Sequence, residues 1–244
     1  MSIKKYIPDF VTSMNVVCGI LGVVFAFKGR VDVAFALMLC AGVFDFFDGL
    51  CARALHAYSD FGKELDSLCD CVSFGVLPSV MLYNLCKSCC FAERWYCYLP
   101  LLVAVFSALR LANFNVDERQ HSSFIGLPCP AGAILCGGLC TYVAADPASV
   151  LAQWCSNAWA VPVFSLVICA LLVCPLPMFS LKFSKNDSRE VKSKRITFLV
   201  AVLICLGYVL IAGRNISLVF VLLFTVYILL NVCFCIFRTE KRQE

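Results

Sequence analysis

Charged residues are scarce in this sequence. Aspartate, glutamate, lysine and arginine make up 15% of its 244 residues, against about 25% in a typical soluble domain. Hydrophobic residues make up 61%, and the mean hydropathy is +0.88. A chain so poor in polar side chains could not cover its surface in water, which excludes a soluble globular protein. The net charge of +4 is modest, and no nucleic-acid partner is expected.

Zinc-binding and signal-peptide patterns are also missing. The sequence has two histidines, and neither of them nor a second cysteine pair stands at zinc spacing from Cys86, Cys89 and Cys90. Most of the 18 cysteines lie inside apolar runs, where a thiol packs as a small hydrophobic group. No cleavable signal-peptide pattern precedes the first apolar run, so we expect internal spans to direct membrane insertion.

Long apolar runs are abundant, and they predict an all-α integral membrane protein with about eight transmembrane helices, each of about 20 residues. Hydropathy places these helices at 11–27, 33–53, 66–86, 96–114, 130–146, 158–175, 196–213 and 216–237. Residues 1–10 are predicted to form an amphipathic segment at the membrane interface. A polar linker is predicted at 180–195, and a cytoplasmic tail at 238–244.

The distribution of basic residues predicts the orientation of these spans. Cytoplasmic loops carry an excess of lysine and arginine. If the N-terminus is cytoplasmic, only five of the 20 basic residues fall on the outer side, namely Lys28, Arg30, Lys87, Arg94 and Arg214. This bias requires an even number of spans, so both termini are predicted to be cytoplasmic.

The 18 cysteines are consistent with a cell inner membrane, where their thiols would face lipid or a reducing cytoplasm.

One stretch interrupts the apolar pattern with closely spaced carboxylates. It reads Asp-x2-Asp-Gly-x2-Ala-Arg from position 45 and Gly-x3-Asp-x3-Asp from position 62. Each helical residue advances about 100°, so the first block falls within roughly 140° and the second within roughly 80°. The residues 56–61 suffice for a tight return between two antiparallel helices. Such a pair of helices would bring together four carboxylates, those of Asp45, Asp48, Asp66 and Asp70.

Four neighbouring carboxylates near a membrane are unfavourable unless cations neutralise them. Oxygen ligands without histidine or thiolate favour Mg²⁺ or Mn²⁺ over zinc. A pair of such ions would also hold a diphosphate and stabilise charge on a transferred phosphoryl group. Gly49 and Gly62 would let a nucleotide approach the helix backbone, and Arg53 offers a positive fork for phosphate.

These spaced residues match every fixed position of the signature of the CDP-alcohol phosphotransferases, and the chain resembles that family. The resemblance implies the family's helical membrane fold and a homodimer. It implies that two metal ions bind to Asp45, Asp48, Asp66 and Asp70. It implies that CDP contacts Gly49, Ala52, Arg53 and Gly62. It also implies that Asp70 is placed to act as the general base.

Further blocks are similar to the serine-specific branch of this family, the CDP-diacylglycerol–serine O-phosphatidyltransferases. They are Ile7-Pro8, Thr12, Asn15, the run SALRLANFN at 107–115 and the run SFIGLPCPA at 123–131. This similarity implies transfer of the phosphatidyl group from CDP-diacylglycerol to the hydroxyl of L-serine among membrane lipids, with release of CMP. Two residues depart from the branch: Asp9 stands where Asn is usual, and Cys129 where Thr or Ser is common.

The acceptor site is less clearly marked in the sequence. Arg110, Asn113 and Asp117 have the i, i+3, i+7 spacing of one helix face. Arg110 could bind the serine carboxylate or a lipid phosphate, or it could cap the helix and contact lipid headgroups. Glycerol 3-phosphate and inositol phosphate are the alternative acceptors within the family.

Other interpretations of the aspartates explain less. Pairing with Arg53 and Lys63 at a helix end would account for one or two aspartates, but not for four on facing stripes. Prenyltransferases also hold diphosphate through Mg²⁺, but their acidic clusters lie far apart in sequence. A divalent-cation transporter, the alternative that is not an enzyme, would carry its acidic groups near the bilayer midplane.

The sequence thus predicts a single catalytic unit followed by further spans. Residues 11–146 are predicted to form the catalytic transmembrane helices, with the signature at 45–70. Residues 147–237 are predicted to form additional transmembrane helices. The active site is expected on the cytoplasmic side, because the signature lies at the cytoplasmic end of its helices.

Overall fold

The described part of the chain is almost entirely helical. The structure, a computed structural model, describes residues 6–89, 94–116, 124–178 and 189–240. Its α-helices are α1 (Tyr6–Phe27), α2 (Val31–Ala54), α3 (Asp60–Asp70), α4 (Leu77–Cys89), α5 (Leu102–Val116), α6 (Cys129–Ala145), α7 (Val150–Cys155), α8 (Ala160–Val173), α9 (Arg189–Ile211) and α10 (Ser217–Glu240). A π-helical segment (Cys71–Val76) joins α3 to α4, and a 3-10 helix (Trp95–Leu101) leads into α5.

Several helices are long and apolar enough to cross a membrane. Among the described residues these are Tyr6–Phe27, Val31–Ala54, the continuous helix Asp60–Cys89 and Trp95–Val116. Shorter apolar helices follow at Cys129–Ala145, Ala160–Val173, Ile196–Ile211 and Ser217–Cys233. The predicted all-α, multi-pass membrane protein is therefore confirmed. The predicted number of about eight spans is not established by helix length, because the apolar parts of the later helices run for only 10–17 residues in the part of the chain that the structure describes.

The third helix begins earlier than hydropathy predicted. α3 starts at Asp60, where the hydroxyl of Ser59 accepts a hydrogen bond from the Gly62 backbone N–H at 3.0 Å. A serine in this position satisfies one of the free N–H groups of the first helical turn. The first turns of α3 are polar, so a hydropathy window placed the start at residue 66. The helical start at Asp60 puts Gly62, Asp66 and Asp70 on one continuous helix.

Other helix boundaries also differ from the predicted ones. α1 begins at Tyr6, so the described part of the predicted interfacial segment is continuous with the first span. α9 begins at Arg189, inside the predicted polar linker. The short helix α7 was not predicted, and its N-terminus is capped by Ser149, whose hydroxyl accepts from the Ala152 N–H. The polar cap of α7 is a feature that a hydropathy average does not register.

A short β pair fixes the segment before α6 against the end of α8. Strand β1 (Phe124–Ile125) pairs antiparallel with β2 (Pro177–Met178). Gly126 follows with φ +78°, and a Cβ there would lie 2.6 Å from the Leu172 carbonyl oxygen. Only glycine fits this close approach in a left-handed conformation. α6 then begins at Cys129, with Pro130 in its first turn, a position that suits proline because the N–H groups there have no partner within the helix.

The buried face of α1 runs along the helices that carry the aspartates. α1 packs against α2, α3, the π-helical segment and α4. Its buried residues recur every three or four positions and are Pro8, Thr12, Asn15, Gly19, Gly22 and Ala26. This spacing places them on one face of the helix. The face therefore presents two polar side chains, Thr12 and Asn15, to the aspartate-bearing helices.

Candidate active site

The hairpin of α2 and α3 brings three of the predicted carboxylates together. Asp45 and Asp48 lie in the second half of α2, and Asp66 lies on α3. One carboxylate oxygen from each lies within 4.8 Å of the others. Asp66 Oδ1 is buried and has no hydrogen-bond partner among the described residues. Three converging hard oxygen ligands, one of them with an unused buried atom, fit a divalent cation such as Mg²⁺ or Mn²⁺.

Asp70 lies deeper than this group of three. Its side chain is buried, and its Oδ1 accepts a 2.9 Å hydrogen bond from Asn15 Nδ2 on α1. Asp70 is not among the three residues whose oxygens meet, although the charges of Asp45, Asp48 and Asp66 all act on it. The structure therefore keeps the fourth predicted carboxylate in the same acidic environment, held by an amide.

Thr12 orients one of the carboxylates of the cluster. Its hydroxyl donates to Asp48 Oδ2 at 2.6 Å, and both side chains are buried. The same hydroxyl lies 3.0 Å from the Pro8 carbonyl oxygen, one turn earlier on α1. A partner of this kind fixes the direction of a metal-binding carboxylate and supports its affinity for the ion.

A cavity of about 510 Å³ opens beside the carboxylates. Its walls include Thr12, Asp48, Gly49, Ala52, Gly62 and Asp66. Space lies open above Gly49, where an added Cβ would meet nothing within 4 Å. Gly62 is more confined, since a Cβ there would lie 3.1 Å from Ser59 Oγ and 3.2 Å from Asp9 Oδ1. The structure thus gathers three of the four predicted CDP-contacting residues, Gly49, Ala52 and Gly62, around one space.

The fourth predicted CDP contact, Arg53, is arranged differently. Its side chain is exposed, and its Nε donates to the Gly49 carbonyl oxygen at 2.9 Å. Lys63 Nζ donates to the Asn115 carbonyl oxygen at 3.1 Å, linking α3 to the end of α5. Both cations therefore bond to backbone oxygens. This arrangement gives no support to the interpretation in which they serve as partners of the aspartates.

Arg110 and Asn113 are not brought together on one side of α5. The side chain of Arg110 is buried, whereas that of Asn113 is exposed. Arg110 Nη1 lies 3.5 Å from Cys129 Sγ, and its Nε has no hydrogen-bond partner among the described residues. Asp117, the third residue of the predicted face, lies outside the described residues. The burial of Arg110 is not the arrangement expected of a residue that only caps the helix and contacts lipid headgroups.

Arg110 and Asp70 lie at similar depths in the bundle. A Cβ added at Gly75 would lie 3.1 Å from Ser107 Cβ, so the π-helical segment and α5 touch at this level. α5 runs antiparallel to the long helix Asp60–Cys89, because Asn115 bonds to Ser67 while Ser107 and Ala104 lie against Gly75. Arg110 lies three residues beyond Ser107, and Asp70 lies five residues before Gly75, toward the same end. At about 1.5 Å per residue these displacements are about 4.5 and about 7.5 Å, so the two residues lie within about one helical turn of each other along the bundle.

The two residues that depart from the serine-specific branch both border the site. Asp9 lines the cavity and faces Gly62. Cys129 is buried at the start of α6 between Arg110 and the Ser107 carbonyl oxygen, which lies 3.9 Å from its thiol. The described cysteines are all free thiols. Cys129 therefore lies next to the buried side chain of Arg110.

The contacts of Thr12 and Asn15 were not predicted from the sequence. Both residues were noted only as part of a resemblance, and no role was attached to them. The available signal was their spacing, because two polar side chains recur on the face of an apolar helix that also carries small residues. Polar side chains within a span usually face the protein interior and have a partner there.

Comparison with known proteins identifies the family. A sequence model of the CDP-alcohol phosphatidyltransferase family matches residues 5–170, more than half of the chain. The chain belongs to this family. The match extends from the start of α1 into α8 and includes the carboxylate cluster, the cavity and Arg110.

Curated relatives share about a third of the residues over the matched region. A CDP-diacylglycerol–serine O-phosphatidyltransferase of Methanocaldococcus jannaschii is 38% identical over 144 residues, which cover 58% of this chain and 65% of that protein. One of Bacillus subtilis is 38% identical over 127 residues, covering 52% and 70%. An archaetidylserine synthase of Methanothermobacter thermautotrophicus is 34% identical over 134 residues, covering 52% and 54%. The chain thus spans less than two thirds of the first of these relatives.

Proposed function

We propose that this membrane protein transfers the phosphatidyl group of CDP-diacylglycerol to the hydroxyl of L-serine, giving phosphatidylserine and CMP. The observation that carries the proposal is the meeting of the Asp45, Asp48 and Asp66 carboxylates at a cavity lined by Gly49 and Gly62. The names of the relatives support serine as the acceptor.

The donor binds with its CDP moiety in this cavity. Ala52 and the two glycines leave the helix backbones open to the nucleotide. Asp45, Asp48 and Asp66, with Asp70 nearby, would hold two divalent ions, Mg²⁺ or Mn²⁺, and these would neutralise charge on the pyrophosphate and on the transferred phosphoryl group. Arg53 turns from the Gly49 carbonyl oxygen toward a phosphate when the nucleotide is present, since a guanidinium binds phosphate more strongly than it binds a neutral carbonyl.

Asp70 acts as the general base. Its carboxylate takes the proton of the serine hydroxyl as the serine oxygen forms a bond to the phosphorus that carries the diacylglycerol. The bond between that phosphorus and the bridging oxygen of the pyrophosphate breaks, and CMP leaves with the electron pair. Asn15 holds Asp70 Oδ1 during this step. General-base assistance contributes about 10²–10⁴-fold, so positioning and electrostatics supply the rest.

Arg110 binds the carboxylate of the acceptor. It is a buried cation whose Nε has no hydrogen-bond partner within the described part of the chain, and its Nη1 lies 3.5 Å from the Cys129 thiol. A buried charge without an ionic partner is costly, which favours an anion as its ligand. It lies within about one helical turn of Asp70 along the bundle, so a serine held there would present its hydroxyl to the base. Asn113 faces outward and has no part in this arrangement.

The orientation and assembly of the protein extend this proposal. The active site faces the cytoplasm of a cell inner membrane, with both termini on that side, because the basic residues are concentrated there. Residues 11–146 form the catalytic helices, 147–237 the additional ones, and 1–10 and 238–244 the interfacial and cytoplasmic ends. The family resemblance favours a homodimer, which cross-linking in membranes would detect.

An acceptor panel tests the proposed reaction. Purified protein is incubated with CDP-diacylglycerol and Mn²⁺ or Mg²⁺, with L-serine, glycerol 3-phosphate or inositol phosphate, while CMP and the lipid product are measured. We expect metal-dependent CMP release with L-serine and formation of phosphatidylserine. Turnover with one of the other alcohols alone would leave the reaction class standing and refute serine as the acceptor. Metal uptake into proteoliposomes without CMP release would favour the transporter.

A further inference from the structure

Only one of the two polar atoms of the Asn15 side-chain amide has a hydrogen-bond partner among the described residues. The side chain is fully buried in the middle of the α1 face that meets the aspartates. Its Nδ2 donates to Asp70 Oδ1 at 2.9 Å, while its Oδ1 has no hydrogen-bond partner among the described residues. Buried polar atoms are usually paired, and each exception calls for an explanation.

The orientation of this amide is dictated by its partner. A carboxylate offers only acceptors when it is ionised, so the NH₂ group of Asn15 must face Asp70. Turning the amide over would bring its oxygen against the Asp70 oxygen. The free acceptor atom is therefore fixed on the other side of the amide, within about 5 Å of the Asp70 carboxylate by bond geometry.

The free oxygen is not required to hold α1 in place. The backbone carbonyl oxygen of Asn15 already accepts a 3.1 Å hydrogen bond from Ser73 Oγ, and Ser73 is fully buried. Gly19, one turn further along α1, packs directly on Ser73. These contacts fix α1 against the π-helical segment without the side-chain oxygen, so that oxygen is an acceptor that the packing of α1 does not use.

We propose that Asn15 Oδ1 accepts a hydrogen bond from the ammonium group of the acceptor, so that Asn15 selects an amino acid among hydroxylated carboxylates. This inference rests on the proposed function. In L-serine the ammonium and the hydroxyl are on neighbouring carbons. An ammonium on Asn15 therefore leaves the hydroxyl beside Asp70, and Arg110, within about one helical turn of Asp70, takes the carboxylate.

A pair of compounds that differ only in the ammonium group tests this role. 3-Hydroxypropanoate has the hydroxyl and carboxylate of serine but lacks the ammonium, and its inhibition constant against L-serine reports how well it competes for the acceptor site. Metal-dependent CMP release by the wild-type protein with L-serine is measured first, because its absence would refute the proposed function itself. Turnover only with acceptors that lack an ammonium group would refute this inference.

The decisive variant is Asn15→Ala. We expect the KM for L-serine to rise about tenfold or more, while the KM for CDP-diacylglycerol and the inhibition constant of 3-hydroxypropanoate stay within about twofold. An equal rise in the constants for both compounds would mean that the oxygen does not recognise the ammonium.

Asn84→Ala is the matched control. Asn84 Nδ2 also joins a neighbouring helix to α1, because it donates to the Ala26 carbonyl oxygen at 2.9 Å. It should leave all three constants within about twofold.

A second variant separates the two halves of the amide. Asn15→Asp keeps an acceptor oxygen of the same length and removes the donor to Asp70. We expect it to retain the preference for L-serine over 3-hydroxypropanoate within about threefold, while kcat falls because the new carboxylate repels Asp70. If Asn15→Ala does not fold, this variant decides: loss of the preference in Asn15→Asp would overturn the proposal, and its retention would support it.

Discussion

Gly19 on α1 lies directly against Ser73 in the π-helical segment. A Cβ atom at Gly19 would lie 2.4 Å from Ser73 Oγ and 3.0 Å from Ser73 Cα. Ser73 in turn donates to the backbone carbonyl oxygen of Asn15, whose side chain holds Asp70. The depth at which α1 packs therefore sets the position of the proposed base, through two hydrogen bonds and one close backbone contact.

Gly19→Ala should therefore reduce both stability and activity. The added methyl group overlaps a fully buried residue whose backbone would also have to move, so we expect a cost of about 1–3 kcal/mol and lower CMP release. Gly207→Ala on α9 is the matched control, since a Cβ there meets nothing within 4 Å. Thermal unfolding in detergent checks the prediction, and equal melting temperatures for the two variants would contradict it.

Thr12→Val should weaken metal binding while preserving the fold. Valine has nearly the shape of threonine but cannot donate to Asp48 Oδ2, so that carboxylate loses its fixed orientation. Loss of such a partner typically lowers metal affinity about 10–100-fold. Calorimetric titration with Mn²⁺ measures the change. Thr141→Val on α6, which also loses a hydroxyl bonded to the carbonyl one turn earlier, should bind Mn²⁺ as the wild type does.

The sequence predicted the meeting of three carboxylates better than the contacts that support them. Asp45, Asp48 and Asp66 could be placed together because carboxylates repeat at helical spacing on two adjacent helices, which is local information. The bonds from Thr12 and Asn15 join residues separated by 36 and 55 positions, and helical spacing within one segment does not show which helix a face will meet. The π-helical turn after Asp70 has no composition signal comparable to a cap.

The burial of Arg110 could not be predicted from helical spacing alone. Its spacing with Asn113 placed both residues on one face of α5, yet one is buried and the other exposed. Residues three apart on a helix differ by about 60° around its axis, which is enough to cross the edge of a packed face. The segments packed against α5, which are the π-helical segment, α8 and the start of α6 with Cys129 beside Arg110, decide where that edge lies.

Asp66→Asn should stabilise the metal-free protein and remove its response to metal. One fewer charge reduces the repulsion that Asp45 and Asp48 exert on this position. Wild-type protein should gain about 2.7 kcal/mol of stability at a metal concentration 100 times its Kd. Melting temperatures in EDTA and in Mn²⁺ test both parts. Asp32→Asn, an exposed change of the same charge near Arg30, should keep the full metal response.

Arg110→Ala should raise the KM for L-serine far more than that for CDP-diacylglycerol. The guanidinium is buried beside Cys129, and its removal leaves the acceptor carboxylate without a cation. Hydrogen bonds to charged groups contribute about 1.5–3 kcal/mol, which corresponds to a rise of about tenfold or more. Arg214→Ala, which breaks an ion pair with Asp146 at the other end of the bundle, is the control. An unchanged KM for L-serine would exclude the carboxylate role.

Asp70→Asn separates proton transfer from metal binding. The new amide can turn its oxygen toward Asn15 Nδ2 and so keep the observed hydrogen bond, which preserves the local packing. It cannot accept the hydroxyl proton, so we expect kcat to fall by about 10²-fold or more. Because oxygens of Asp45, Asp48 and Asp66 meet without Asp70, Mn²⁺ should still bind to the inserted protein. Near-normal CMP release would refute Asp70 as the base. Complete loss of Mn²⁺ binding in the folded variant would instead show that Asp70 serves mainly as a ligand, a result that Asp66→Asn alone could not provide.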